Sequence, residues 1–270
     1  MAENIFEYEG ANCWWDVTGS GKPLLLLHGW GSNSQLMKPL AESLSSVRTC
    51  YLIDLPGFGN SSEPPEAWSV DRYADLSEAF VREIIAQNHE DQKTDLLVHS
   101  FGARIALKLL TRQDADASFD KVIFTGAAGL KPKRKPSYYL KKYTAKMVKA
   151  PFMILPGNLR DKGLTQLRST NLWKKLGSSD YSKLSGVMRE TFVKSVTEYL
   201  DELLPKVSHE ILLIWGENDT ATPMDQAVRF EKNLPDCALV TISEAGHYAF
   251  LDQPAKFTAI ARAYLEPASN

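Results

Sequence analysis

The sequence predicts a mostly parallel α/β sheet of eight strands, with helices on both faces and an inserted helical segment. Short strand-like runs alternate with amphipathic helical stretches along the chain. The central runs, "LLLL" at 24–27 and "ILLIW" at 211–215, are continuously apolar, as strands covered on both faces are. Between the strand-like stretches at 122–124 and 211–215, about eighty residues read as helix and loop without a convincing strand, which marks an insertion.

Taken in order, the expected strands are 5–8, 13–17, 23–27, 48–53, 95–98, 122–124, 211–215 and 238–242. Helical patterns fall between them at 35–44, 71–87, 102–111, 225–233 and 254–265. In 71–87, Tyr73, Leu76, Phe80, Ile84 and Ile85 recur at helical spacing, with Arg72, Asp75, Glu78, Arg82 and Glu83 mostly opposite. The expected organisation is a core formed by 1–130 and 206–270, with 131–205 as a helical cap over the top of the sheet.

The chain has 270 residues, 44% hydrophobic and 24% charged, enough to bury a sizeable core. No apolar run approaches the roughly 20 residues that span a bilayer. The start, "MAENIFEYEG", lacks the basic and apolar regions of a signal peptide, so a cytoplasmic location is expected. Cys13, Cys50 and Cys237 form no CxxC pair and read as buried free thiols.

In an open parallel sheet, ligands bind outside the carboxyl ends of the strands. Three polar residues stand at such ends: Ser100 in "LLVHSFGARIAL", Asp219 in "ILLIWGENDTATP" and His247 in "LVTISEAGHYAF". A serine hydroxyl needs a base to take its proton, and neutral imidazole suits that task near pH 7. A carboxylate then fixes the imidazole tautomer and stabilises the imidazolium.

The order Ser, Asp, His and the strand-corner-helix setting of Ser100 resemble the α/β-hydrolase superfamily and its nucleophile elbow. Five segments carry the resemblance in the family's order: "LLLLHGWGSN", "LIDLPGFGNSS", "VHSFGARIAL", "LLIWGENDTATP" and "AGHYAFLDQP". It implies an eight-stranded hydrolase sheet, a Ser100–Asp219–His247 triad, and an oxyanion hole formed by the backbone N–H groups of Trp30 and Phe101. The family writes the elbow G-x-S-x-G, whereas Val98 stands at its first small position and Gly102 at the second. A β-branched residue beneath the serine is expected to push the turn or helix outward.

Each residue has rivals. Glu217 is a second carboxylate near Asp219, and Asp54 in "DLPGFG" also sits at a strand end, where a loop hydrogen bond is its expected role. His28 and His99 are expected to support the oxyanion loop and the elbow, and His89 and His209 to lie solvated in connecting segments. No HExxH, zinc-spaced Cys/His cluster or complete GxGxxG occurs, and the triad chemistry needs no cofactor and no metal.

Charge is uneven. Residues 131–160 contain nine Lys or Arg and no Asp or Glu, leaving 22 basic against 33 acidic residues elsewhere. Tyr139, Tyr143 and Met147 share one helical face and are expected to pack inward, with lysines outward. A second helix at 187–204 is expected to pack through Met188, Phe192, Val196, Tyr199 and Leu203. The basic stretch fits an acidic carrier protein, an anionic substrate or an anionic membrane surface, and no nucleic-acid motif accompanies it.

"WW", "LLHGWG" and "LPGFG" make the first part of the chain similar to esterases of pimeloyl-acyl-carrier methyl esters. Their basic lid implies docking of an acyl carrier protein at Lys131, Lys133, Arg134 and Lys135. Those esterases carry Trp-Ser-Leu at the elbow, where this chain has His-Ser-Phe.

The expected function is a serine hydrolase that cleaves a carboxylic ester through an acyl-enzyme. Thioester or carbon–carbon bond hydrolysis, cofactor-free haloperoxidase chemistry and a low-turnover ligand receptor remain alternatives on the same triad. Ser100 argues against dehalogenases and epoxide hydrolases, which use an elbow aspartate.

Overall fold

The computed structural model describes residues 4–133, 136–170, 184 and 186–266. Eight strands form one sheet: β1 (Ile5–Tyr8), β2 (Ala11–Gly19), β3 (Pro23–Leu27), β4 (Thr49–Ile53), β5 (Thr94–His99), β6 (Phe119–Thr125), β7 (Ile211–Gly216) and β8 (Cys237–Ile242). Their order is β1-β2-β4-β3-β5-β6-β7-β8, antiparallel at β1/β2 and β2/β4 and parallel from β4 to β8. Every residue of β3, β5 and β7 is buried, so these strands are covered on both faces.

The main helices are α1 (Ser34–Leu44), α2 (Val70–Phe80), α3 (Phe101–Leu110), α4 (Pro136–Met153), α5 (Gly157–Ser169), α6 (Gly186–Thr197), α7 (Met224–Asn233) and α8 (Pro254–Leu265). One apolar cluster joins α2, α3 and α7 to one sheet face through residues such as Tyr73, Phe80, Ile105 and Phe230. The other joins α1 and α8 to the opposite face through Met37, Leu40, Phe257 and Ala261. Cys13, Cys50 and Cys237 are free, and burial pushes each thiol up to about 12.

Several local expectations change. The helix expected over 71–87 passes from α2 into a π-helical turn at Val81–Ile85 before ending at Asn88. The helix expected over 187–204 is α6, a break, and a 3-10 turn at Asp201–Lys206. The buried face of α6 is Met188, Thr191 and Ser195, while Val196 and Tyr199 are exposed. Thr191 faces inward because its Oγ1 accepts a hydrogen bond from the Trp68 backbone N–H at 3.1 Å, which satisfies both groups away from water. On α4, Tyr143 and Met147 are exposed rather than packed inward. Arg134 and Lys135 lie outside the described residues, and the side chain of Tyr139 is likewise not described.

Candidate active site

The sheet order reverses at β3 and β5: the chain runs from β3 to β4 on one side, then crosses back to β5 on the other. The loops after these two strands therefore diverge and leave a crevice at their carboxyl ends. "HGWGSN" leaves β3 at that crevice, and Ser100 follows β5.

Ser100 adopts φ 50 and ψ −105, a strained backbone for a residue with a Cβ. Hydrogen bonds hold it there: its N–H donates to Thr125 O at 3.1 Å, and its carbonyl accepts from Ala128 N at 3.0 Å. Val98 is fully buried, in register with Leu27 and Phe124 on its two neighbours. The helix behind the serine runs so close to β3 that a Cβ on Gly102 would lie 2.5 Å from Leu27 O. The second glycine of the pattern is thus sterically required, whereas the first position tolerates a valine inside the strand ladder.

Asp219 and His247 are brought together by their loops. Glu217 N donates to Ile242 O at 2.9 Å and Asn218 N to Ala245 O at 2.8 Å, which ties the loop after β7 to the end of β8. Asp219 Oδ2 accepts from His247 Nδ1 at 2.8 Å. The same carboxylate accepts from Ala221 N, Thr222 N and Thr222 Oγ1, each at 2.8 Å. Burial alone would raise the Asp219 pKa, but hydrogen bonds and charge attraction from His247, with the bonds from Thr222, hold it below the ordinary carboxylate value. The rival Glu217 is exposed. With Nδ1–H committed to Asp219, Nε2 of a neutral His247 is the ring's basic nitrogen. No hydrogen bond joins Ser100 Oγ to His247 among the described residues; such bonds are often long before substrate binds.

Among the described residues, no acceptor takes the backbone N–H of Trp30 or of Phe101, which opens α3. The Trp30 ring packs against Phe58, Phe101 and Phe192 at centroid distances of 4.9, 5.2 and 5.1 Å, which holds its loop in place. Gly29 lets that loop lie against the elbow, since a Cβ there would stand 2.8 Å from His99 Nδ1 and 3.2 Å from Ser100 Cβ. Asp54 is fully buried and accepts from Ser34 N at 2.7 Å and Asn60 N at 2.8 Å, tying "HGWGSN" to "LPGFGN". That is the loop-holding role expected of it.

The other histidines divide. His28 is buried; its Nδ1 bonds Gly29 O at 2.8 Å and its Nε2 accepts from Leu55 N at 3.0 Å, which fixes a neutral tautomer. His99 is buried, bonds the His247 carbonyl through Nε2 at 3.1 Å, and packs with its ring centroid 4.7 Å from that of His247 at a tilt of 54°. His89 meets Tyr51 Oη at 3.2 Å. His209 is buried beside Asp116 at 3.5 Å, contrary to its expected solvation, because the segment entering β7 meets the short helical turn Ala115–Ser118 that precedes β6, where Ser208 Oγ also bonds Asp116. A groove of about 630 Å³ beside His89, Thr94 and Phe119 opens at the amino ends of β5 and β6, away from Ser100.

Burial, followed by the His247 charge, lowers the His99 pKa to about 3 from 6.5. A neutral buried imidazole stabilises the fold fully above the unfolded value of 6.5. Below it the unfolded chain takes up a proton that the folded chain refuses until about pH 3, so stability falls across that window. His99→Asn should flatten the pH dependence of the unfolding free energy by up to about 1.4 kcal/mol per pH unit. Parallel urea-denaturation slopes for both proteins between pH 6 and pH 4 would reject this assignment.

A family model described as alpha/beta hydrolase fold matches residues 22–254. The AB hydrolase superfamily protein YisY of Bacillus subtilis (strain 168) is 26% identical over 255 residues, covering 90% of this chain and 91% of that protein. The pimeloyl-[acyl-carrier protein] methyl ester esterase of Nitrosomonas europaea is 24% identical over 258 residues, covering 90% and 95%. Among solved structures, an esterase from Exiguobacterium antarcticum superposes with a TM-score of 0.70 at 23% identity, covering 99% of this chain and 100% of that one. With the family match running from just before β3 past His247, the chain belongs to the α/β-hydrolase fold family, and it is an enzyme of the hydrolase class.

Proposed function

We propose that the enzyme is a serine esterase whose nucleophile is Ser100. The observation that carries this reading is the 2.8 Å Asp219–His247 hydrogen bond, on the loops that flank a strained serine at the sheet's switch point. Ser100 Oγ attacks the ester carbonyl while His247 Nε2 takes its proton. The carbonyl oxygen, now negative, is held by the Trp30 and Phe101 N–H groups, aided by the positive end of α3. The tetrahedral centre collapses, His247 gives the proton to the leaving alcohol, and an acyl-serine remains. Water, deprotonated by His247, attacks that acyl group; Ser100 leaves with the proton, and a carboxylic acid is released. Asp219 orients His247 and stabilises its charged form throughout. The named residues complete this cycle without a metal or cofactor.

We assign residues 131–205 as a cap over a core of 1–130 and 206–270. Support comes from α6, whose Phe192 ring meets Trp30 at 5.1 Å and whose Thr191 accepts from Trp68. The cap therefore borders the loop that supplies one oxyanion donor.

The test is steady-state hydrolysis of p-nitrophenyl esters from acetate to octanoate. Sustained turnover with a chain-length optimum is expected. A single acylation burst with no further release would instead identify a low-turnover receptor.

The named activity of the Nitrosomonas europaea relative favours a second reading, an ester carried on an acidic acyl carrier protein. Lys131 and Lys133 are exposed beside α4. On this reading, charge reversal at Lys131, Lys133, Arg134 and Lys135 should raise KM for a carrier-linked ester at least about tenfold. Hydrolysis of p-nitrophenyl acetate should be unchanged, and an unaltered KM for the carrier-linked ester would reject the reading.

A further inference from the structure

The α4–α5 hairpin leaves a set of large apolar side chains in water. Tyr143, Met147, Met153, Ile154, Leu155 and Leu159 are all exposed, Met147 to 75% and Ile154 to 86%. Scattered exposed apolar residues are ordinary on protein surfaces, but here three exposed ones, Met153, Ile154 and Leu155, are consecutive. Met153, Ile154 and Leu155 occupy the apex between the two helices, and Tyr143, Met147 and Pro151 lead to it at four-residue steps along one face of α4.

The apex is built outward rather than left loose. Phe152 turns in and packs so closely on α5 that a Cβ on Gly163 would meet its ring at 2.5 Å. Leu155 N bonds Phe152 O at 3.3 Å, and Leu159 N bonds Pro156 O at 2.9 Å as α5 begins. The hairpin's internal contact thus uses Phe152, and the three residues after it project away.

The surrounding charge has one sign. Among the described side chains of the hairpin the charged ones are Lys146, Lys149, Arg160 and Lys162, none of them acidic, and Lys146 and Lys162 are exposed. A projecting apolar tip inside a basic collar matches the two layers of an anionic lipid surface, acyl chains below and phosphate headgroups above. An acidic protein would satisfy the collar but would not require an isoleucine held almost fully in water. Among the described residues no helix is long and apolar enough to cross a membrane, so attachment would be peripheral.

We propose that the apex of the α4–α5 hairpin docks the enzyme on anionic phospholipid membranes, inserting Met153, Ile154 and Leu155 among the acyl chains while the basic collar meets the headgroups. The apex contains none of the triad residues, so Ser100→Ala should bind membranes as the wild type does.

Co-sedimentation with phosphatidylcholine vesicles, with and without phosphatidylglycerol, tests this. The wild type should pellet with the phosphatidylglycerol vesicles and lose most of that binding in high salt. The double variant Ile154→Asp, Leu155→Asp should bind at least about tenfold more weakly with an unchanged circular dichroism spectrum, since its substitutions lie on exposed positions. Lys146→Glu with Lys162→Glu should weaken binding to the anionic vesicles. No pelleting of the wild type would overturn the proposal, as would equal binding by the apex double variant. A wild-type dimer that the apex variant converts to monomer would assign the tip to a second copy and overturn it too.

Discussion

Ser100→Ala is expected to abolish sustained ester hydrolysis, with kcat/KM for the preferred p-nitrophenyl ester falling at least about 10⁴-fold. The size follows from what is removed. On the proposed mechanism no acyl-enzyme can form without Oγ, and only the proposed oxyanion donors and binding are left to assist direct attack by water. The fold should survive the change, because Ser100 is held through its backbone N–H and carbonyl, which alanine keeps. Asp219→Asn should cost a similar order, about 10⁴-fold in kcat. An amide there presents an N–H where the carboxylate now accepts from His247 Nδ1 and Thr222 Oγ1, so the imidazole is driven to the wrong tautomer. Both variants should also lose labelling by a serine-directed fluorophosphonate, which separates loss of chemistry from loss of substrate binding. Retention of more than about a tenth of wild-type turnover in Ser100→Ala, far above what loss of a nucleophile permits, would remove the serine from its role.

The second large effect is on stability. Arg48 and Asp95 form a buried ion pair, Nε to Oδ2 at 2.9 Å, with side chains 7% and 0% exposed. Asp95 also accepts from Lys22 Nζ at 2.6 Å and Lys121 N at 3.1 Å, while Arg48 reaches the Leu265 carbonyl at the end of α8. This cluster clamps the amino end of β5, the strand that carries Ser100 at its other end. Arg48→Met leaves the Asp95 charge with fewer partners in a buried site, and the expected destabilisation is about 3 kcal/mol. In a chain of this size that lowers the melting temperature by roughly 6–12 °C. The double variant Arg48→Met, Asp95→Asn should lose less than the two single changes added together, because it removes the stranded charge along with its partner. Additive losses in calorimetry would mean that the pair is not coupled.

Much of the fold was legible in the residues. All eight strands were expected within a few residues of their observed ends, because covered parallel strands leave unbroken apolar runs such as "LLLL" and "ILLIW". The positions of Ser100, Asp219 and His247 were legible for a related reason: each breaks or follows an apolar run at the end where a parallel sheet exposes its loops. How Val98 fits beneath the serine was less legible, because a motif records which residues are usual and not how a strand ladder absorbs a side chain.

What was not legible depends on contacts between segments distant in the chain. The inward turn of Thr191 needs the Trp68 N–H, 123 residues away. Burial of His209 needs the turn at Ala115–Ser118, and the π-helical turn at Val81–Ile85 leaves no periodic mark strong enough to separate it from α-helix. Tyr143 and Met147 have the spacing of a buried stripe, yet spacing specifies only a face, and what covers that face is decided elsewhere.

By itself, then, the sequence determined the alternation of strands and helices, the residue types able to do acyl-transfer chemistry and their places at strand ends, since these follow from local apolar periodicity and side-chain chemistry. Only the tertiary structure decided the strand order that opens the crevice, the choice of Asp219 over Glu217 as the partner of His247, the clamp beneath β5 and the exposure of the α4–α5 apex. Those depend on backbone hydrogen bonds and packing between segments up to 217 residues apart, a separation at which one-dimensional pattern carries no geometric information.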